Sequence, residues 1–148
     1  LEGFTTKQIG DYSEASFVAW CLRYGAGVSI PIGDRLPYDV IVDVLGTLIR
    51  VQVKTAYQRS EDTFSINLAS VSTKDGEVVH NTYEGKVDAI VAYNLSSDKF
   101  YVLKPGDIAD CKREFKLRLG PAKNGQTVGV HMAEDYELTD TLRLLPGQ

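Results

Sequence analysis

At 148 residues and 43% hydrophobic content, the chain holds material for one compact core, and two independent units of ~75 residues would each be marginal, so a single domain over 1–148 is expected. Twenty Asp and Glu against sixteen Lys and Arg leave a formal charge of −4, which excludes a generally basic chain that coats nucleic acid but leaves room for a local basic surface. The longest apolar runs, such as Ala89-Ile90-Val91-Ala92-Tyr93, fall far short of the ~20 residues that a membrane-spanning helix needs.

Lys7 to Tyr24 reads as a helix, with Ala15, Val18, Ala19 and Leu22 forming an apolar stripe at spacings of three and four, and Gly25 placed to end it. A short Val28–Ile30 strand and a loop from Pro31 to Pro37 follow, and then Tyr38 to Asp43 reads as a strand. After the Gly46 turn, Leu48 to Lys54 alternates strictly. Leu48, Arg50, Gln52 and Lys54 fall on one face, with Ile49, Val51 and Val53 on the other. These two strands are expected to pair as a hairpin.

Thr63 to Leu68 reads as a further strand. The polar stretch from Ser70 to Gly85 has no decisive period and is expected to be a mobile or substrate-facing loop. Val87 to Tyr93 is apolar enough for a central strand, and Lys99 to Leu103 is expected to pair back on it after a turn at Asn94–Asp98. Pro105-Gly106-Asp107 suits the start of a short helix to Cys111, and Phe115 to Leu119 alternates again. Phe100, Tyr101 and Phe115 are expected in the core. The plan is α/β in the mixed α+β sense: an N-terminal helix, then a mostly antiparallel sheet of hairpins.

Cys21 and Cys111 have no zinc-type spacing and read as free thiols in a reducing cytoplasm, and no basic and apolar leader directs export. A strand that buries Ile49, Val51 and Val53 has no packing reason to set Gln52 and Lys54 side by side on its other face. A solvent-facing polar edge is the plain alternative. Asp39, one hairpin earlier, favours a site. A carboxylate, an amide oxygen and the main-chain carbonyl of Val53 suit a hard divalent cation such as Mg²⁺, with Lys54 beside it.

Pro37-Tyr38-Asp39, followed by Gln52-Val53-Lys54, resembles the PD-(D/E)XK nuclease signature, with Tyr38 inserted in the first half and Gln52 where an acid is usual. Gly10-Asp11-Tyr12-Ser13-Glu14 resembles the helix that carries a Glu in many members. Together with Val51-Gln52-Val53-Lys54-Thr55-Ala56, these strings are most similar to the small homing endonucleases encoded by group I introns in cyanobacteria and phages. The resemblance covers about residues 7–103, and 104–148 is expected to serve DNA contact or oligomerisation.

The resemblance implies a restriction-endonuclease-like core with Glu14, Asp39, Gln52 and Lys54 as the catalytic set. Asp39, Gln52, Val53 and Glu14 would hold Mg²⁺ or Mn²⁺. It further implies sequence-specific hydrolysis of double-stranded DNA by at least a dimer, extendable to a tetramer. Two other expectations stand beside it: a nuclease that cuts four-way junctions by shape, and an inactive DNA-binding homologue. Cationic candidates for DNA contact are Arg35 in the loop before Asp39, Lys74, His80 and Lys86 in the polar stretch, and Lys112, Arg113, Lys116, Arg118 and Lys123 further on.

Overall fold

In a computed structural model the described residues are 2–69, 71–80, 83–111 and 113–147, with the side chains of 71–74 and 78–80 left aside. Helix α1 (Thr6–Arg23) starts at a capping box: the Thr5 hydroxyl accepts from the Gln8 N–H at 3.2 Å, and the Gln8 side chain accepts from the Thr5 N–H at 2.8 Å. Gly25, at φ +80°, takes the left-handed turn that ends the helix. The buried stripe of α1 is Ser13, Phe17 and Cys21, flanked by Val18 and Trp20. This corrects the expected stripe: Ala15, Ala19 and Leu22 face outward, Leu22 at 59% exposure. Burying Phe17 and Trp20 removes far more apolar area from water than burying two alanines, so the large side chains set the helix rotation.

Among the described residues nine strands follow: β1 (Gly27–Ser29), β2 (Val40–Val44), β3 (Thr47–Gln58), β4 (Thr63–Asn67), β5 (Val71–Lys74), β6 (Glu77–His80), β7 (Ala89–Asn94), β8 (Lys99–Leu103) and β9 (Glu114–Arg118). Seven of them form one mixed sheet, in which β7 runs parallel to β3 and the other pairings are antiparallel. The expected mixed sheet is therefore present. β5 and β6 form a separate hairpin around Asp75-Gly76, both at positive φ, so the stretch expected to be a loop is partly strand. Asp-Gly at a two-residue turn was the sequence signal for it.

β7 is buried throughout and faces two cores. On one face Ala89, Val91 and Tyr93 join Phe17, Cys21, Val40, Val42, Ile49, Val51 and Phe100 under α1. On the other, Ile90 and Ala92 join Ala56, Phe64, Ile66, Tyr101, Leu103, Phe115 and Leu117. A strand covered on both sides reads as a continuous apolar run, as this one does. The C-terminal tail packs back: Lys104 Nζ donates to the carbonyls of Leu144 and Leu145 at 2.8 and 3.0 Å, and Leu144 is fully buried. Among the described residues no helix is long and apolar enough to cross a membrane.

The sheet opens at one place. Val51 pairs with Val40 on one edge of β3 and with Ala89 on the other, while Ala56 pairs with Ile66 and Asn94. β7 occupies one edge for that whole length, so β2 and β4 share the opposite edge. They part company there between Gln52 and Thr55.

Candidate active site

Asp39 fills the opening. Its N–H donates to the Val51 carbonyl at 2.9 Å, and its carboxylate Oδ2 accepts from the Val53 N–H at 2.8 Å. A carboxylate thus takes the place of the next strand residue. In a strand, the N–H and C=O of one residue leave on the same edge, so the Val53 carbonyl faces the edge that Asp39 occupies. Gln52 and Lys54 project from β3 on the face opposite Val51 and Val53, as strict alternation requires.

α1 brings Glu14 within electrostatic reach of Asp39. Ser13 is buried in the helix, and its hydroxyl lies 2.7 Å from that of Thr55, one residue beyond Lys54. The same Ser13 hydroxyl donates to the Ile9 carbonyl at 3.1 Å. This polar pair fixes the helix along and around its axis relative to β3, so Glu14 and Lys54 are placed by their immediate neighbours.

The electrostatics follow from removing charges from water. Burial, and then the charges of Asp39 and Asp11, push the Glu14 carboxyl above the usual range, with Lys7 opposing. Burial pushes Asp39 up as well, against the Val53 N–H and the Lys54 charge, which favour the carboxylate. Burial pushes the Lys54 ammonium down, against the pull of Asp39. Glu14 feels the charge of Asp39, and the lysines, Lys7 at Glu14 and Lys54 at Asp39, offset only part of the cost of burial.

Among the described residues, the buried side-chain oxygen that lacks a hydrogen-bond partner is Gln52 Oε1. Such an atom forfeits its hydration, a cost of about 1–3 kcal/mol, unless something else satisfies it. A cation would satisfy it, and Asp39 is held against the next residue of β3 through the Val53 N–H. No three described His, Cys, Asp or Glu residues cluster closely enough to hold a metal alone. The oxygen donors available, from Asp39, Glu14, Gln52 and the Val53 carbonyl, suit a hard divalent ion. The residues fit the group.

The cationic candidates are spread more widely. Arg35 and Lys86 are exposed on the loops before Asp39 and before β7. Lys116, Arg118 and Lys123 come together in an open groove of about 670 Å³ with Glu61, Asp62 and His131, beyond the β3–β4 turn and apart from the acids. The Arg118 guanidinium is engaged with the carbonyls of Gly120 and Pro121 at 3.1 and 3.3 Å. Arg113 is exposed near the start of β9. Lys112 lies outside the described residues, as do the side chains of Lys74 and His80. Sequence reasoning missed Ser13 and Thr55, and also the Arg50–Asp88 pair at 3.1 Å, which ties the segment before β7 onto β3. A serine at the i, i+4 spacing of Phe17 and Cys21 was the available signal for Ser13. Nothing in the local pattern marked Asp88.

A family model described as PD-(D/E)XK endonuclease matches residues 4–139. Among solved structures, the bacterial homing endonuclease I-Ssp6803I is similar to this chain, with 28% identity and a TM-score of 0.73 over 90% of this chain and 89% of the other. No curated protein sequence gives a match.

Proposed function

Because the chain belongs to the PD-(D/E)XK endonuclease family, we propose that it is a divalent-metal-dependent, sequence-specific endonuclease that hydrolyses phosphodiester bonds in double-stranded DNA, with intron homing as its role. The observation that carries the metal requirement is the buried, unpartnered Gln52 Oε1, on the strand residue just before the Val53 N–H that donates to Asp39. The homing role is supported by the likeness to a homing endonuclease over nearly the full length of both chains.

In this reading Asp39, Gln52, Glu14 and the Val53 carbonyl hold Mg²⁺, or Mn²⁺ in its place. When bound, the ion supplies positive charge beside the phosphate and acidifies water. Asp39 keeps the site registered to β3 through the Val53 N–H. Lys54 orients the attacking water and meets the negative charge that grows on the phosphate as water adds in line and an ester oxygen leaves. Lys116, Lys123, Arg113, Arg35 and Lys86 contact DNA phosphates or base edges, with weaker roles for Arg118, whose guanidinium is already engaged. One centre cuts one strand, so double-strand cleavage takes at least two copies about a two-fold axis. The free thiols of Cys21 and Cys111 suit the cytoplasm.

The test is cleavage of a library of long duplexes and of a synthetic four-way junction, in Mg²⁺, Mn²⁺ or EDTA, by wild type and Lys54→Ala. Discrete cuts at one long site, abolished by EDTA and slowed about 10²–10³-fold or more in the variant, are expected. Cutting confined to the junction would replace the homing role with that of a resolvase. Activity in EDTA, or a Lys54→Ala enzyme with normal rates, would defeat the mechanism.

A further inference from the structure

The segment after the β5–β6 hairpin turns one aromatic side chain inward. Tyr83 is half-buried against the core that holds Phe64, Tyr101 and Leu103, and Lys54 Nζ sits over its ring, 6.0 Å from the centroid. Tyr83 is tied down at both ends. Its hydroxyl donates to the Leu68 carbonyl at 3.3 Å, and its own carbonyl accepts from the N–H groups of Lys86 and Val87 at 3.0 and 3.2 Å. The turn that follows is clamped to β3 by Arg50, which donates to the Gly85 carbonyl at 3.1 Å and to both carboxylate oxygens of Asp88, each at 3.1 Å. Arg50 stands on the same strand face as Gln52 and Lys54. The ring is therefore held by the strand whose lysine it faces.

We propose that Tyr83 is a positioning residue for the reaction: the face of its ring seats the Lys54 ammonium and keeps it aimed at the opening that Asp39 occupies. The inference rests on the nuclease reading above. A lysine carries a point charge on a long flexible stem and needs something to hold it in one place. An aromatic face does this without a hydrogen bond, through its negative quadrupole, so the N–H donors of the ammonium remain available to water and phosphate. A carboxylate or carbonyl in the same position would occupy those donors. Partial burial of Lys54 strengthens the attraction, because less water competes for the charge.

The test replaces Tyr83 in three ways and reads two signals. Tyr83→Phe keeps the ring face, Tyr83→Leu removes it, and a ring-trifluorinated phenylalanine incorporated at position 83 keeps the shape while weakening the quadrupole. With DNA and Mg²⁺, kcat is expected to stay within about twofold for Tyr83→Phe and to fall about tenfold for Tyr83→Leu and the fluorinated ring, with KM for DNA unchanged. In the metal-free protein, the NMR signal of the Lys54 Cε methylene is expected upfield, shifted by the ring current in wild type and Tyr83→Phe, and to return to its ordinary position in Tyr83→Leu. A fluorinated enzyme as fast as Tyr83→Phe, or a methylene signal indifferent to loss of the ring, would overturn the proposal. Equal losses in Tyr83→Phe and Tyr83→Leu would assign the effect to the hydroxyl and overturn it too. A wild-type chain that cut no DNA would defeat the nuclease reading and the catalytic consequence with it, while the methylene signal would still report separately whether the ring seats the ammonium.

Discussion

Asp39 is asked to be two things at once. It completes the hydrogen bonding of β3 by accepting from Val53, and it is a charge that burial disfavours. Its folded-state pKa is raised, so the metal-free fold binds its proton more tightly than the unfolded chain does. The sign is then fixed by linkage: its contribution to stability is greatest below the ordinary carboxylate pKa of about 4 and is lost as pH rises through the folded value. Asp39→Asn keeps an oxygen for the Val53 N–H and removes the charge. Without metal, the variant is therefore expected to melt above wild type at neutral pH, with the gap closing as pH falls toward 4, as differential scanning calorimetry across pH would record. The same change is expected to abolish cleavage. At this scale much of the candidate site was legible: alternation alone set Gln52 and Lys54 on one face, and Asp39 sits one hairpin back. Tyr83 was legible only as a polar-loop residue, because a contact that spans 29 positions in the chain leaves no local period.

At the scale of elements, the β2–β3 turn carries strain and the α1–β3 contact carries register. Leu45 occupies the left-handed region at φ 53° beside Gly46 at φ 90°, with its side chain 89% exposed. A leucine there costs about 1–2 kcal/mol that an asparagine largely avoids. Leu45→Asn is expected to raise the melting temperature by about 2–4 °C with cleavage unchanged, which thermal denaturation beside a plasmid assay would check. The Ser13–Thr55 pair should behave differently. Ser13→Ala leaves the Thr55 hydroxyl to find another partner, so a loss of about 1–2 kcal/mol is expected, together with a fall in kcat as Glu14 loses its register to Lys54. A double-mutant cycle with Thr55→Val measures the coupling. Equal stability losses with unchanged kcat would mean that the pair holds the fold and not the site.

The elements also show where sequence reading stops. Helix and strand spans were legible because periods of 3.6 and 2 are local. The rotation of α1 does not follow from the spacing of apolar residues alone, because Phe17 and Trp20 bury far more area than the alanines do. The hairpin at Asp75-Gly76 is marked in the sequence only by its turn chemistry. That β7 lies parallel to β3 could not be read from either strand, since each period describes a strand's own faces and says nothing of its partner.

For the whole molecule, the topology explains where the chemistry sits. β2 and β4 leave one edge of β3 in opposite directions, and Asp39 takes the edge between them, next to Gln52 and Lys54 on the strand, as ligand sites collect where neighbouring strands diverge. That clustering costs stability unless a cation joins it, so binding and folding should be linked. On the proposed reading the net charge of −4 sharpens the point: an acidic chain meeting a polyanion would draw on its local cationic surface and on a cation at the acids. The most direct test is therefore a Mn²⁺ titration of the DNA-free protein, following the melting temperature in wild type, Asp39→Asn and Gln52→Met. Saturable stabilisation of wild type, reaching about 2.7 kcal/mol at a hundredfold excess over Kd and lost in both variants, is the expected result. A wild-type melting temperature indifferent to Mn²⁺, or a Gln52→Met protein stabilised as fully as wild type, would contradict the assignment of that buried oxygen to a metal.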